Sequence, residues 1–225
     1  MELLFDTANI EDIKKYMQYY PITGITSNPS ILKSEGDVDF FGILKEIRSI
    51  IGMERSLHVQ VISEDAEGMI EEARAIVKNI DKNVFVKIPT SEEGVKAMMA
   101  LKAEGIGVTA TAIYTKIQGF MAIMAGADFL APYCNRMENL DVDFEDAISA
   151  FREMIEENNA DCKILAASFK NIQQVNKAFL AGAQTATVQP TMLSGAFNMA
   201  AVAKATADFK ADWNAVRGDV LITDL

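Results

Sequence analysis

Two hydrophobic periods alternate along the chain. Short apolar runs, "ELLFD", "GITSN", "LHVQV", "VFVKI", "GVTAT", "FLAPY", "KILAAS" and "TATV", have the length and residue types of pleated strands. Between them lie longer segments with apolar residues at helical spacing. Helix starts are predicted at Asn9 before "IEDIKKYMQYY", at Ser63 before "EDAEGMIEEARAIVKN" and at Ser91 before "EEGVKAMMALKAEG", since a short polar side chain can accept from the free amides of a first turn. Stops are predicted at Gly105 and in the "AGA" stretches around Gly126 and Gly182. Eight strand-then-helix units predict a (β/α)8 TIM barrel of the α/β class. A doubly wound sheet usually has fewer strands and a glycine-rich phosphate loop, and neither GxGxxG nor a Walker loop is present. No linker or low-complexity tract interrupts the pattern, so residues 1–225 are expected to form a single barrel domain, with 200–225 a C-terminal helix and tail.

The barrel sharpens the reading of each strand, because side chains alternate between the helix layer and the barrel interior. In "LHVQV", Leu57, Val59 and Val61 share the helix-facing side, leaving His58 and Gln60 inside. In "VFVKI", Val84, Val86 and Ile88 face the helices while Phe85 and Lys87 point inward. The same parity groups Thr109 with Thr111 and Ala131 with Tyr133. Polar residues gather at the strands' C-terminal ends, Asp6, Asn28, Gln60, Lys87, Thr111, Tyr133 and Ser168, and that end carries the active site in barrel enzymes.

Composition narrows the partners. The 21 Lys and Arg against 32 Asp and Glu leave a formal charge of −11, a field that repels phosphate backbones and anionic membranes. No apolar run approaches the length of a membrane span, and the N-terminus meets acidic residues at once. The two cysteines, Cys134 and Cys162, are far apart, and with one histidine there is no zinc-ligand spacing. The expectation is a cytoplasmic protein with reduced thiols and no metal.

Lys87 is a lysine set into an apolar strand. A desolvated amine has its pKa lowered, and the neutral amine adds to carbonyls, which makes Lys87 a Schiff-base candidate. The alternatives are a side chain that snorkels to solvent or one that pairs with Asp6. His58, the lone histidine, is read as a hydrogen-bonded interior residue rather than a general base.

The motifs "LFDTAN", "GITSNPSI", "VFVKIPT", "LKAEGI", "APYCNR" and "LAASFK", in this order over most of the chain, resemble those of the transaldolase family, most closely its short branch, the fructose-6-phosphate aldolases. The resemblance implies a class I mechanism without metal or cofactor, with Lys87 as the Schiff-base lysine. It further implies that Asp6 and Asn28 hold the donor's hydroxyls and that Gln60, Thr111 and Tyr133 position a catalytic water. It also implies that Arg136 and Ser168 take the acceptor phosphate, with Lys170 adding charge. Family members that transfer rather than cleave usually carry Glu and Phe where this chain has Gln60 and Tyr133. The expected reaction is cleavage and formation of fructose 6-phosphate from dihydroxyacetone and glyceraldehyde 3-phosphate. The alternatives are a transaldolase passing a dihydroxyacetone unit between sugar phosphates and a non-catalytic sugar-phosphate binding barrel. Cys134, Ser27 and the stretch "TVQPTMLSGAFN" depart from the family pattern.

The segment "AVAKATADFKADWNAVRG" reads as an amphipathic helix with Phe209 and Trp213 four apart on one face, an apolar pair that needs covering. It either folds back on its own barrel or reaches a neighbour. The resemblance implies a homo-oligomer, a pentamer or decamer.

Overall fold

The computed structural model describes all residues from Met1 to Leu225. Eight parallel strands close on themselves in chain order. They are β1 (Glu2–Asp6), β2 (Gly24–Thr26), β3 (Ser56–Gln60), β4 (Val84–Pro89), β5 (Gly107–Ile113), β6 (Phe129–Pro132), β7 (Lys163–Ala166) and β8 (Thr185–Val188). All eight coincide with the predicted apolar runs. Around them lie α1 (Ile10–Tyr16), α2 (Pro29–Ser34), α3 (Phe40–Ile51), α4 (Ala66–Asn79), α5 (Glu92–Ala103), α6 (Lys116–Met124), α7 (Cys134–Asn139), α8 (Phe144–Glu157) and α9 (Ile172–Leu180). The fold is the (β/α)8 barrel. Residues Met1–Pro190 form one compact unit and Thr191–Leu225 a second.

Helix starts follow local hydrogen bonding. Asn9 Oδ1 accepts from the Asp12 amide at 2.9 Å, and Ser91 Oγ accepts from the Gly94 amide at 3.0 Å, as predicted. The start predicted at Ser63 falls two residues later, because Asp65 supplies the cap of α4 and the Ser63 hydroxyl is drawn to the Glu72 carboxylate at 2.6 Å. A carboxylate is the stronger acceptor, and it takes the Ile62 and Ser63 amides as well. Gly105, Gly126 and Gly182 all have positive φ and end their helices where predicted.

Strand parity holds. Leu57, Val59, Val84, Val86 and Ile88 are buried on the helix side, with α4 and α5 packed against β4. Inside the barrel, Leu4, Phe129 and Leu165 cluster with Phe85. The ring of His58 stacks on Phe85 at 5.0 Å and meets the edge of Phe129 at 4.9 Å. This apolar and aromatic layer fills the lower barrel, so the polar inward positions nearer the strands' C-terminal ends form a chamber closed from below.

The second unit holds α10 (Pro190–Phe197), formed by the segment that departs from the family pattern, and α11 (Ala200–Arg217). No residue of α11 is buried, and Phe209 is 71% exposed. Trp213 is half-buried and donates from Nε1 to the Val220 carbonyl at 2.7 Å. No helix is long and apolar enough to cross a membrane.

Candidate active site

Lys87 lies near the end of β4 and points into the barrel, where it is only 3% exposed. It does not snorkel. Its Nζ donates to the Ser27 main-chain oxygen at 3.1 Å, so the amine is held by a neutral carbonyl rather than by a direct ion pair with Asp6. The Ser27 amide in turn donates to the His58 carbonyl at 3.0 Å, which pins this stretch after β2 to β3.

Asp6 ends β1, and its Oδ1 accepts from Thr26 Oγ1 at 2.6 Å. Thr26 Oγ1 also lies 2.7 Å from Thr187 Oγ1. A hydroxyl has one proton, so with Thr26 donating to Asp6 the Thr187 hydroxyl is the donor of the second bond. Burial pushes the Asp6 carboxyl above its ordinary range, with Lys87 and the Thr26 bond only partly offsetting it. Burial likewise pushes the Lys87 amine below its ordinary value, with Asp6 partly offsetting it. For both groups desolvation outweighs mutual attraction, so Lys87 gives up its proton more readily than an exposed lysine.

Gln60 is the cross-strand partner of Lys87. Its Oε1 is buried and accepts no hydrogen bond, an uncompensated cost that marks a polar group aimed at something other than the protein. On the other side of β4, on its neighbour β5, Thr111 Oγ1 donates to the Tyr133 phenol oxygen at 3.1 Å. Accepting that bond leaves the phenol's own proton free to be donated elsewhere. Burial raises the Tyr133 pKa, opposed by the Thr111 bond and the Arg136 charge, so the phenol keeps its proton at neutral pH.

Tyr133 is the N-cap of the short helix α7, which carries Arg136. The guanidinium carbon sits 4.8 Å over the Tyr133 ring, and Nη1 donates to the Tyr114 phenol at 3.1 Å. Ser168 adopts a left-handed φ of 61°, and its main-chain oxygen accepts from the Asn135 amide at 3.0 Å. That contact joins the loop after β7 to the start of α7. Lys170 is exposed in the same loop, with its amide bound to Gln174 at 2.8 Å, and no contact brings its side chain to the others. Asn28 caps α2 by accepting from the Ile31 amide at 3.0 Å, which leaves its amide nitrogen available.

His58 is fully buried one layer below Gln60, between Thr109 Oγ1 at 2.8 Å and Ser56 Oγ at 3.0 Å. Burial and the Lys87 charge push its pKa down to about 3, so the ring is neutral. The thiol of Cys134, beside Tyr133, is pushed up to about 12 by burial and is inert.

Thr26, Thr187, Tyr114 and the Ser27 carbonyl belong to the chamber and were not singled out in the sequence. Parity could have found Thr26, which shares a face with Asn28. A main-chain oxygen has no sequence signal.

A chamber with one desolvated amine, a coupled carboxyl, a protonated phenol and a free acceptor can form an iminium and move protons around it. The transaldolase/fructose-6-phosphate aldolase family model matches residues 3–221. A protein of Streptococcus pneumoniae described as a probable fructose-6-phosphate aldolase is 48% identical over 213 residues, covering 95% of this chain and 96% of that one. A designed cube-shaped, highly porous protein cage, made by fusing symmetric oligomeric domains, matches with a TM-score of 0.60 at 11% identity, over 96% of this chain and 78% of that chain. That likeness concerns the fold alone. With the family model spanning nearly the whole chain and a near-full-length relative at this identity, the chain belongs to the transaldolase/fructose-6-phosphate aldolase family.

Proposed function

We propose that this chain is a class I aldolase that cleaves and forms fructose 6-phosphate, with Lys87 as the Schiff-base residue. The observation that carries the reading is a lysine only 3% exposed, its amine held by the Ser27 carbonyl and facing a chamber of hydroxyl and amide groups. Lys87 adds to the ketone of fructose 6-phosphate and, with loss of water, gives an iminium. Removal of the C4 hydroxyl proton then breaks C3–C4, and the bonding electrons pass into the iminium to give an enamine. Glyceraldehyde 3-phosphate leaves from Arg136 and Ser168, with Lys170 adding positive charge. The enamine is protonated and water hydrolyses the resulting iminium, freeing dihydroxyacetone and restoring the amine.

Asp6 and the Asn28 amide nitrogen orient the donor's hydroxyls. Tyr133 relays protons through a water held with Gln60 and Thr111, and the free Gln60 Oε1 and the spare phenol proton support that role. Tyr133 and Gln60 favour cleavage over transfer, because a phenol beside the enamine can complete its protonation before a second aldehyde arrives.

The reading extends to a cytoplasmic homo-oligomer, a pentamer or decamer, in which another copy covers α11. The exposed Phe209, Val216 and Ile222 support this. Light scattering that finds a stable monomer at micromolar concentration refutes it.

The catalytic assignment is tested by trapping with sodium borohydride and fructose 6-phosphate, with an adduct expected on Lys87 alone. Turnover with and without erythrose 4-phosphate separates cleavage from transfer. Absence of an adduct leaves a sugar-phosphate binding barrel.

A further inference from the structure

Strand β5 is irregular at its C-terminal end. Ala110 pairs with Leu130 and Ile113 with Pro132, so three steps on β5 match two on β6. The extra residue is accommodated at Ala112, whose φ of 56° is left-handed and unfavourable for a residue with a Cβ. Such bulges re-aim the side chains that follow, and strained backbone persists only where the surroundings enforce it. Here the consequence is specific. In an unbroken strand Ile113 would share the inner face with Thr109 and Thr111. With the bulge, Ile113 is fully buried and the next residue, Tyr114, reaches the side chains of Tyr133 and Arg136.

There Tyr114 meets Tyr133 edge to face at 5.7 Å, and its hydroxyl accepts from Arg136 Nη1 at 3.1 Å. Arg136 is exposed and free of ion pairs, held only by the Tyr114 hydroxyl and the face of Tyr133. Tyr114 is itself fixed from behind, because Gln118 Oε1 accepts its amide at 2.9 Å while Gln118 Nε2 donates to the Thr90 carbonyl at 3.0 Å. An unrestrained arginine loses much rotamer freedom on binding an anion, whereas one already held gives up less.

We infer that Tyr114 is a specificity-determining residue, aimed by the bulge at Ala112 to hold Arg136 in place, and that it sets the preference for phosphorylated over unphosphorylated aldehyde acceptors. The inference rests on the proposed aldolase reading. Tyr114 is a positioning residue, since it acts on the phosphate through Arg136.

The test is Tyr114→Phe, which keeps the ring against Tyr133 and removes one hydroxyl. Dihydroxyacetone is condensed with glyceraldehyde 3-phosphate and, separately, with D-glyceraldehyde. A hydrogen bond to a charged donor that is partly exposed corresponds to about a three- to tenfold effect, so the ratio of the two kcat/KM values should fall by that factor. The fall should lie in KM for the phosphorylated aldehyde, and inorganic phosphate should inhibit correspondingly less. In an Arg136→Ala background, Tyr114→Phe should not change the ratio further. An unchanged ratio in an active parent overturns this inference alone, as does a ratio that still falls without Arg136. A parent that forms neither product and no borohydride adduct overturns the aldolase reading and this inference with it.

Discussion

Replacing His58 with phenylalanine should remove a defined part of the protein's acid sensitivity. The histidine is fully buried, and its pKa is pushed from 6.5 down to about 3. Between those values the unfolded chain binds a proton that the folded chain excludes, so stability rises with pH across this window and is lost as pH falls through it. Below pH 6.5 the loss approaches about 1.4 kcal/mol per pH unit, which amounts to about 2 kcal/mol at pH 5 relative to pH 7.5. His58→Phe will also shift stability by a constant amount, because Thr109 Oγ1 and Ser56 Oγ lose a partner and the ring is larger. The diagnostic quantity is therefore the change with pH of the difference between parent and variant. Contributions from Asp6 and the surface carboxylates are common to both proteins and largely cancel. Urea unfolding at pH 7.5, 6 and 5, at fixed protomer concentration, measures it. The parent should lose about 2 kcal/mol more than the variant on going to pH 5. A difference that does not vary with pH would mean that His58 is protonated in the folded state, contrary to its burial beside Lys87.

Lys87→Met should abolish turnover and borohydride trapping while leaving the circular dichroism spectrum intact, since methionine fills a similar volume without an amine; loss of folding would make Lys87 structural instead. Tyr133→Phe should slow dihydroxyacetone release by roughly 10²- to 10⁴-fold and raise the ratio of transfer to cleavage with erythrose 4-phosphate, and a parent-like rate would reduce Tyr133 to packing. Arg136→Ala should raise KM for glyceraldehyde 3-phosphate far more than for D-glyceraldehyde, and equal losses would remove it from the phosphate site. Gly94→Ala should destabilise the barrel by about 1–3 kcal/mol in urea unfolding, because the added methyl would overlap the Pro89 carbonyl oxygen where α5 meets the end of β4.

The barrel and the inward placement of most chamber residues are legible in the amino-acid pattern. Period-two alternation depends only on backbone geometry, so "VFVKI" places Lys87 inside whatever surrounds it, and repetition of the unit eight times leaves few ways to bury both faces of the strands. Caps are also local, which is why Asn9 and Ser91 start their helices as read. Ser63 does not, because Glu72, a full helical span away, competes for its hydroxyl. The remaining features arise from groups distant in the chain that meet only on folding. Lys87 is held by a main-chain carbonyl 60 residues away, a group that every residue possesses. The Asp6, Thr26 and Thr187 contacts arise where the last strand closes on the first two. The bulge at Ala112 breaks the very parity that makes the other strands legible. Its cost is recovered by packing and hydrogen bonds from β6, α6 and α7, which no local pattern in "TATAIY" reveals, and through it Tyr114 comes to hold Arg136.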